Sequence, residues 1–342
     1  MKTNNFTSFS ERIIFLDLVL GMVFFMQTGA GLLGNIFLLC HFTITLLAGR
    51  RLRPIDSMYF HMALANSIVL ISKGVPQTMV GLGLKNFLDS VGCKLIIFLH
   101  RVAHNLSVSI TCLFSSFQMI TISPFSFSIC PELKSHASKC IFPLCLFCWS
   151  LHLLINTFMF MNMQNFTESS NNTRLWNMGF CSGFAAASFK VLQFLIVYSI
   201  PDFLCVGFMI MTSGYLMLLL QRHHQQVQHI HSSRQLSRKS PEIRATYTIL
   251  VLVSMYVSFY SVNSLLSFHL FQSDKYDQWL ISTSALLAAC YPAFSPFVLI
   301  TCDTQILYFF CSLWEKKRSQ DSLFLGCFIA QSSVSTLPNR YI

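Results

Sequence analysis

Long apolar windows alternate with short polar breaks along most of the chain. The breaks, such as AGRRLRP, GLKNFLDSVG and QSDKYD, carry charges and turn-forming residues. About 20 apolar residues suffice to cross a bilayer as a helix, and no window shows the alternation that a membrane β-strand requires. The pattern therefore predicts an all-α membrane fold, a bundle of seven transmembrane helices at about 17–47, 55–82, 94–122, 140–161, 190–219, 245–271 and 279–302.

The windows divide the chain into three regions. Residues 1–16 form a polar N-terminal segment, residues 17–302 hold the helices, and residues 303–342 form a tail. The first window is longer than the apolar core of a signal peptide, about 7–15 residues, so we expect it to remain as the first helix. The composition also indicates a membrane protein. Only 11% of the 342 residues are charged, whereas about 25% is typical of soluble domains.

The distribution of basic residues predicts the orientation of the bundle. Lys and Arg concentrate in the first, third and fifth breaks, and short loops rich in these residues remain in the cytoplasm. The N-terminus is therefore expected outside the cell and the tail inside. The basic residues expected on the cytoplasmic face include Arg50, Arg51, Arg222, Arg238, Lys239 and Arg244.

Glycosylation sequons support this orientation. Asn5, Asn165 and Asn171 each begin an Asn-x-Ser/Thr sequence on the side predicted to be outside, whereas the sequon at Asn105 lies within a span. Cys93 and Cys181 also lie on the outer side, where an oxidising environment permits a disulfide between them.

Small and helix-ending residues mark several packing features. Gly31 and Gly34 predict close approach of a neighbour to the first helix. Pro76 is expected to kink the second helix, because it removes a backbone donor and its ring clashes with a carbonyl. The sequence SPEIRA predicts a helix that begins at Pro241, capped by Ser240.

Ionisable side chains inside the spans are the first candidates for function. Lys73, Arg101 and Asp202 are costly to place in lipid, so they are expected to face the bundle interior. Lys73 and Asp202 are ligand-pocket candidates, but a purely structural ion pair explains either equally well. Asp202 can pair with Lys73 or with Arg101, and the sequence leaves this choice open.

A polar stripe follows one face of the third predicted helix. His100, His104, Ser107 and Thr111 recur at helical spacing, and the first three are candidates for the wall of a ligand pocket. The alternative is a set of buried polar groups satisfied within the protein. Histidines at this spacing can also bind a metal, but no third ligand lies near them in sequence, so no metal site is predicted.

Four strings resemble a specific family, the vomeronasal type-1 receptors, which are pheromone receptors. They are LHRVAHNLSVSITCLFSSFQMITISP, HMALANSIVLISKGVPQTM, RHHQQVQHIHSSRQLSRKSPEIRATYTILVLVSMYVSFYSVNS and CYPAFSPFVLI. The resemblance implies a plasma-membrane G-protein-coupled receptor for a small, largely apolar ligand. It also implies coupling to an inhibitory-class heterotrimeric G protein, a Cys93–Cys181 disulfide, and a ligand pocket lined by His100 and His104.

The chain departs from ordinary rhodopsin-like receptors in its activation motifs. Phe117-Gln118-Met119 stands where an Asp/Glu-Arg-Tyr motif is expected, and Ser295-Pro296 stands in place of Asn-Pro. The roles of those motifs therefore do not transfer to this chain.

Several alternatives remain open from the sequence. A bitter-taste-type receptor is the closest in class, although SPEIRATYTIL and HRVA argue against it. A transporter or channel would need acidic groups along a pathway, and only Asp202 is well placed. A receptor-like chain that has lost activity is the third alternative. No nucleophile–base set, cofactor motif or nucleic-acid-binding pattern indicates an enzyme or a nucleic-acid partner.

Overall fold

The protein is a bundle of long helices in a computed structural model that describes residues 2–50, 52–122, 131–167, 173–177, 179–180, 182–186, 189–230, 241–272, 278–303 and 305–311. The helices are α1 Lys2–Leu47, α2 Pro54–Val69, α3 Val75–Gly81, α4 Ser90–Ile122, α5 Pro131–Thr167, α6 Phe189–Ile230, α7 Pro241–Gln272, α8 Gln278–Cys302 and a short α9 at 305–311. A π-helical turn, Leu70–Gly74, joins α2 to α3. Strands β1 Thr173–Asn177 and β2 Ser182–Ala186 form an antiparallel hairpin.

Seven spans within the described residues are long and apolar enough to cross a bilayer, which confirms the predicted all-α membrane fold. They lie in α1, α2–α3, α4, α5, α6, α7 and α8. Helices suit this environment because they satisfy every backbone polar group internally where no water is present. The spans differ in enclosure: 67% of the apolar window in α2–α3 is buried, compared with 22% in α6 and in α7.

The element boundaries agree only partly with the predicted windows. Helix α7 begins at Pro241, as the SPEIRA sequence predicted. Helix α1 begins at Lys2, so the segment 1–16 assigned to a polar N-terminal region is helical over most of its length. The β-hairpin was not predicted, because its two strands are short and lie in a polar loop.

Close packing of α1 against α8 depends on small residues. A Cβ atom at Gly31 would lie 2.8 Å from the Cα of Ala293, and one at Gly34 would lie 3.0 Å from Cγ of Pro296. Membrane helices gain stability from such van der Waals contact rather than from exclusion of water. The predicted role of both glycines is confirmed. Asn35, on the same helix, donates a 3.0 Å hydrogen bond to the carbonyl of Pro292.

The π-helical turn accommodates Pro76. The backbone N–H of Val75 donates to the carbonyl of Leu70, five residues earlier. Such a widened turn relieves the clash that a proline ring makes with the preceding turn. The predicted disturbance at Pro76 therefore takes the form of an inserted residue, and Lys73 lies within the widened turn.

The hairpin is attached to one end of the bundle. Its turn contains Phe180, which is buried against Val80 and Cys93. The backbone N–H groups of Asn86 and Leu88 donate to the carbonyls of Gly179 and Phe180, at 2.9 and 3.4 Å. The hairpin thus covers the end of the bundle at which α3 ends and α4 begins.

At the end of the bundle opposite the hairpin, Arg53 forms ion pairs with two aspartates. Nη2 of Arg53 lies 2.7 Å from Oδ1 of Asp56 and 2.8 Å from Oδ2 of Asp303. Burial lowers the pKa of the Arg53 guanidinium, but the two carboxylates outweigh burial and raise it above its ordinary value. Asp303 also accepts the N–H of Gln305, at the start of α9. The first residues of the predicted tail therefore pack on the bundle, where Ile306 is fully buried.

Candidate ligand site

A cluster of basic and imidazole side chains lies beneath the hairpin. The rings of His100 and His104 are 6.1 Å apart, one turn from each other on α4. The charge of Lys73, from the π-helical turn, acts on both rings. The widened turn thus brings an amine from one span to two imidazoles on another. Three of the five predicted pocket residues are brought together here.

One ring nitrogen of His100 is not used by the residues that the structure describes. Its Nδ1 is buried and has no hydrogen-bond partner among the described residues. His104 differs, because it forms a hydrogen bond with Asn105. His152, on α5, also has a buried Nδ1 without a described partner, but its Nε2 is 2.8 Å from the hydroxyl of Ser109. A buried polar group without a partner is costly, so a ligand that completes it gains affinity.

The acidic predicted residue, Asp202, lies on the α6 side of this region. The charge of Arg101, on α4, acts on its carboxylate. No acidic group lies within ion-pair distance of Lys73 in the part of the chain that the structure describes. The Lys73 amine therefore has imidazoles, and not a carboxylate, as its neighbours in that part of the chain.

Ser107 and Thr111 continue the polar stripe but have partners within the protein. The Ser107 hydroxyl donates to Oδ1 of Asn66 at 2.7 Å, and Nδ2 of Asn66 donates to the hydroxyl of Ser295 at 2.9 Å. The Thr111 hydroxyl lies 2.8 Å from that of Tyr291. These bonds connect three spans in a neutral network below the histidines. Ser107 remains a pocket prediction by position, although its hydroxyl is already bonded.

The remaining predicted residues lie outside this cluster or beyond what the structure describes. Arg50 and Arg222 are exposed at the end of the bundle opposite the hairpin. Asn5 and Asn165 lie in α1 and α5, and Arg244 lies in α7. Cys93 is disulfide-bonded. The predictions that fall outside the described residues are Arg51, Asn171, Cys181, Arg238 and Lys239.

The sequence reading missed a group of tyrosines on the far side of the site. Tyr256 stacks on Tyr260 with ring centroids 5.6 Å apart, and its buried hydroxyl has no partner among the described residues. The charge of Asp202 acts on both tyrosines. Their one-turn spacing in SMYVSFY was a usable signal, because an aromatic pair on one face of an apolar helix marks a packed interior side.

The bundle and its enclosed polar cluster define a class. Seven bilayer-length helices around a polar site, covered by a loop at one end, are the architecture of a seven-transmembrane receptor. The model of the vomeronasal organ pheromone receptor family matches residues 18–312. The chain belongs to this family.

Named relatives agree with the family match. The chain is similar to human vomeronasal type-1 receptor 1, with 44% identity over 291 residues that cover 84% of this chain and 81% of the relative. Human vomeronasal type-1 receptor 3 is 41% identical over 83% of this chain and 91% of its own length. Olfactory receptor class A-like protein 1 of Danio rerio is 29% identical over 88% of this chain and 95% of its own length.

These matches confirm several sequence-based predictions. The chain is a G-protein-coupled-receptor-type chemosensory receptor, a multi-pass protein of the plasma membrane and not an enzyme. The taste-receptor and transporter alternatives are set aside by the family match over most of the chain.

Proposed function

We propose that the receptor detects a small, largely apolar pheromone-like molecule in the site formed by Lys73, His100 and His104, and signals through an inhibitory-class heterotrimeric G protein. The observation that carries this proposal is the buried Nδ1 of His100, unused beside an amine that has no counter-ion among the described residues. Polar groups with partners hold a bundle together. Those without partners are available to a ligand.

The chemistry of the site defines the class of ligand. Lys73 donates hydrogen bonds and carries positive charge, so the ligand needs at least one acceptor group. The opposite wall would be aromatic, because Tyr256 stacks on Tyr260 and the charge of Asp202 acts on both. An apolar body against the tyrosines and an acceptor towards Lys73 would use both walls.

A disulfide between Cys93 and Cys181 would fix the hairpin over this site. Cys93 is disulfide-bonded, and Phe180, the neighbour of Cys181 in sequence, is buried against Cys93. His100 lies seven residues after Cys93, or about 10 Å along the helix. The bridge would therefore define the roof of the pocket about two turns above the first histidine.

The orientation inferred from basic residues assigns the hairpin end to the outside. Asn5, Asn165 and Asn171 would then be available for glycosylation, and Arg50, Arg51, Arg222, Arg238, Lys239 and Arg244 would face the G protein. Ligand binding would act by population shift: the arrangement of helices that binds the ligand more tightly becomes more populated and exposes the G-protein surface.

The test is a ligand screen on cells that express the full chain, read by recruitment of an inhibitory-class Gα subunit. For each active compound, Lys73→Met should lower potency by roughly tenfold, which corresponds to the loss of one charged hydrogen bond. Lys85→Met is the matched control, because Lys85 is exposed and pairs only loosely with Asp17, at 3.4 Å. Equal potency in both variants for every active compound would remove Lys73 from the site.

A second pair of variants separates binding from folding. His100→Leu should reduce potency by about tenfold at normal surface level, because the lost group has no partner within the described protein. His152→Leu should reduce surface level at unchanged potency, because it leaves Ser109 without its 2.8 Å partner. The reverse pattern would identify His100 as a structural residue. Activation of a stimulatory Gα subunit alone would contradict the G-protein assignment.

A further inference from the structure

Three cysteine side chains lie near one another where α4, α5 and α6 pack together. Cys112 on α4 and Cys205 on α6 are joined by a hydrogen bond between their thiols. Cys148, on α5, interacts electrostatically with both. All three are free thiols, only partly buried, that pack against the main hydrophobic core. The contact across two helices distinguishes Cys112 and Cys205 from cysteines that only fill space in an apolar segment.

Other hydrogen bonds hold the helices together on either side of this thiol pair. The hydroxyl of Ser109 bonds to Cys205 and also lies 2.8 Å from Nε2 of His152 on α5. On the other side, the hydroxyls of Ser115 and Thr212 are 2.8 Å apart and join α4 to α6. The contact between α4 and α6 at this level therefore does not depend on the thiols alone.

The thiol pair lies beside the ligand site and not within it. Cys205 follows Asp202 by three residues, and the charge of that carboxylate acts on the thiol. Cys112 follows His104 by eight residues, or about 12 Å along α4. A reaction at the pair would change how α4 and α6 are joined without filling the pocket.

The surroundings of the pair admit a small neutral oxidant and exclude the charged thiol that reduces most cellular disulfides. Both cysteines lie within spans long and apolar enough to cross a bilayer. Hydrogen peroxide is small and uncharged, whereas glutathione is charged and enters hydrocarbon only at high cost. Glutathione keeps thiols reduced where it can reach them. A disulfide at this depth is therefore protected from it.

We propose that Cys112 and Cys205 form a redox-sensitive dithiol, which hydrogen peroxide converts to a disulfide between α4 and α6. One sulfur attacks the peroxide, so that an S–O bond forms, the O–O bond breaks and water leaves. The second sulfur then attacks this sulfenic acid, so that the S–S bond forms, the S–O bond breaks and a second water leaves. Two sulfurs are oxidised, one peroxide is reduced, and both thiol protons leave in water. The site does not rest on the proposed function.

The disulfide would restrain a span that its neighbours enclose only slightly. In α6, 22% of the apolar window is buried, compared with 44% in α4. Few packed contacts therefore oppose movement of α6. A covalent bond to α4 would limit that movement and would also restrict the unfolded chain, which raises the temperature of unfolding.

The experiment uses the full-length receptor in phosphatidylcholine nanodiscs. After treatment with hydrogen peroxide and then catalase, free thiols are blocked with N-ethylmaleimide and the protein is digested without reductant. Mass spectrometry should find the peptide of Cys112 linked to that of Cys205, with equal losses of the two free thiols. Cys40, which is exposed and free, should retain most of its reactivity. Retention of both thiols, or their separate oxidation to sulfinic acids, would overturn the proposal.

Single variants test which sulfurs react. Cys112→Ser and Cys205→Ser should each abolish the linked peptide. Cys148→Ser is the matched control, because it removes a partly buried thiol from the same cluster and should leave the link intact. A link that is lost in Cys148→Ser, or that joins Cys148 to either partner, would contradict the assigned pair. The peptide map of the unsubstituted receptor remains a direct readout if a variant does not fold.

Thermal unfolding tests the restraint on α6. The peroxide-treated receptor should unfold at a higher temperature than the untreated one, and dithiothreitol, which is uncharged, should reverse the shift. Cys205→Ser should show no shift under the same treatment. An unchanged or lower midpoint in a receptor that contains the linked peptide would mean that the disulfide does not tie α6 to α4.

Discussion

The two halves of α4 use similar residues for different purposes. The half nearest the hairpin, Cys93–His104, carries a disulfide-bonded cysteine and the buried Nδ1 of His100, which has no partner among the described residues. In the other half, Ser107–Ser116, every hydroxyl has a hydrogen-bond partner. Four of these partners lie on other spans: Asn66, His152, Thr212 and Tyr291. The first half leaves polar groups available, and the second uses them to fasten neighbouring helices.

This difference cannot be read from helical periodicity. His100, Ser107 and Thr111 share one face, so a projection of the helix gives them equal status. What separates them is the residue opposite, which is Lys73 for the histidine and Asn66 or Tyr291 for the hydroxyls. Hydrogen-bond satisfaction is therefore the better criterion for a ligand site inside a membrane bundle.

Of the changes that test this difference between the two halves of α4, loss of the disulfide should have the largest effect on the ligand response. Cys93→Ser is expected to abolish the ligand response, because a disulfide is worth about 2–5 kcal/mol and this one would hold the roof of the site. Surface level and G-protein response provide the measurements, and Cys181→Ser should behave identically. Cys40→Ser, at an exposed free cysteine, is the control. A normal response in Cys93→Ser would mean that the hairpin needs no covalent attachment.

Removal of one hydroxyl from the Ser107–Ser116 half of α4 should have an intermediate effect, seen in the stability of the receptor. Ser107→Ala leaves Oδ1 of Asn66 without its 2.7 Å donor and should lower stability by about 1–3 kcal/mol. The thermal unfolding midpoint of the purified receptor should fall while ligand potency per folded receptor stays constant. Ser254→Ala, which loses only a bond to its own helix at an exposed position, should change neither. Reduced potency at unchanged stability would instead extend the ligand site downwards to Ser107.

Loss of glycosylation at the sequons predicted to lie outside should have the smallest effect on signalling. Peptide N-glycosidase treatment of the receptor from mammalian cells should increase its gel mobility, and Asn165→Gln should reduce that shift with an unchanged response. This result would assign the Cys93 half of α4 to the extracellular side. Modification of an asparagine introduced into a sequon beside Arg50, together with none at the natural sequons, would reverse the orientation.

The sequence predicted features that depend on the solvent or on one residue type. Seven spans follow from the thickness of the bilayer, and the α7 start at Pro241 follows from the preference of proline for the first helical turn. The contacts of Gly31 and Gly34 follow from their lack of a side chain. Each of these features is local, so a single chain contains the information.

Features that depend on distant partners were not predicted. Pro76 signalled a disturbance, but not that an inserted residue would direct Lys73 towards His100. The link between Arg53 and Asp303 joins residues 250 positions apart, and no local pattern encodes it. The choice of Arg101 as the group acting on Asp202 likewise depends on how α4 and α6 pack.

The unequal enclosure of the spans has a mechanical consequence. Most of the α2–α3 window is held by other helices, so any sliding there must break and remake many packed contacts. In α6 and in α7 only 22% of the window is buried, so fewer closely packed contacts oppose their movement. Among the described spans, α2–α3 is thus the most closely held by its neighbours, and α6 and α7 are the least.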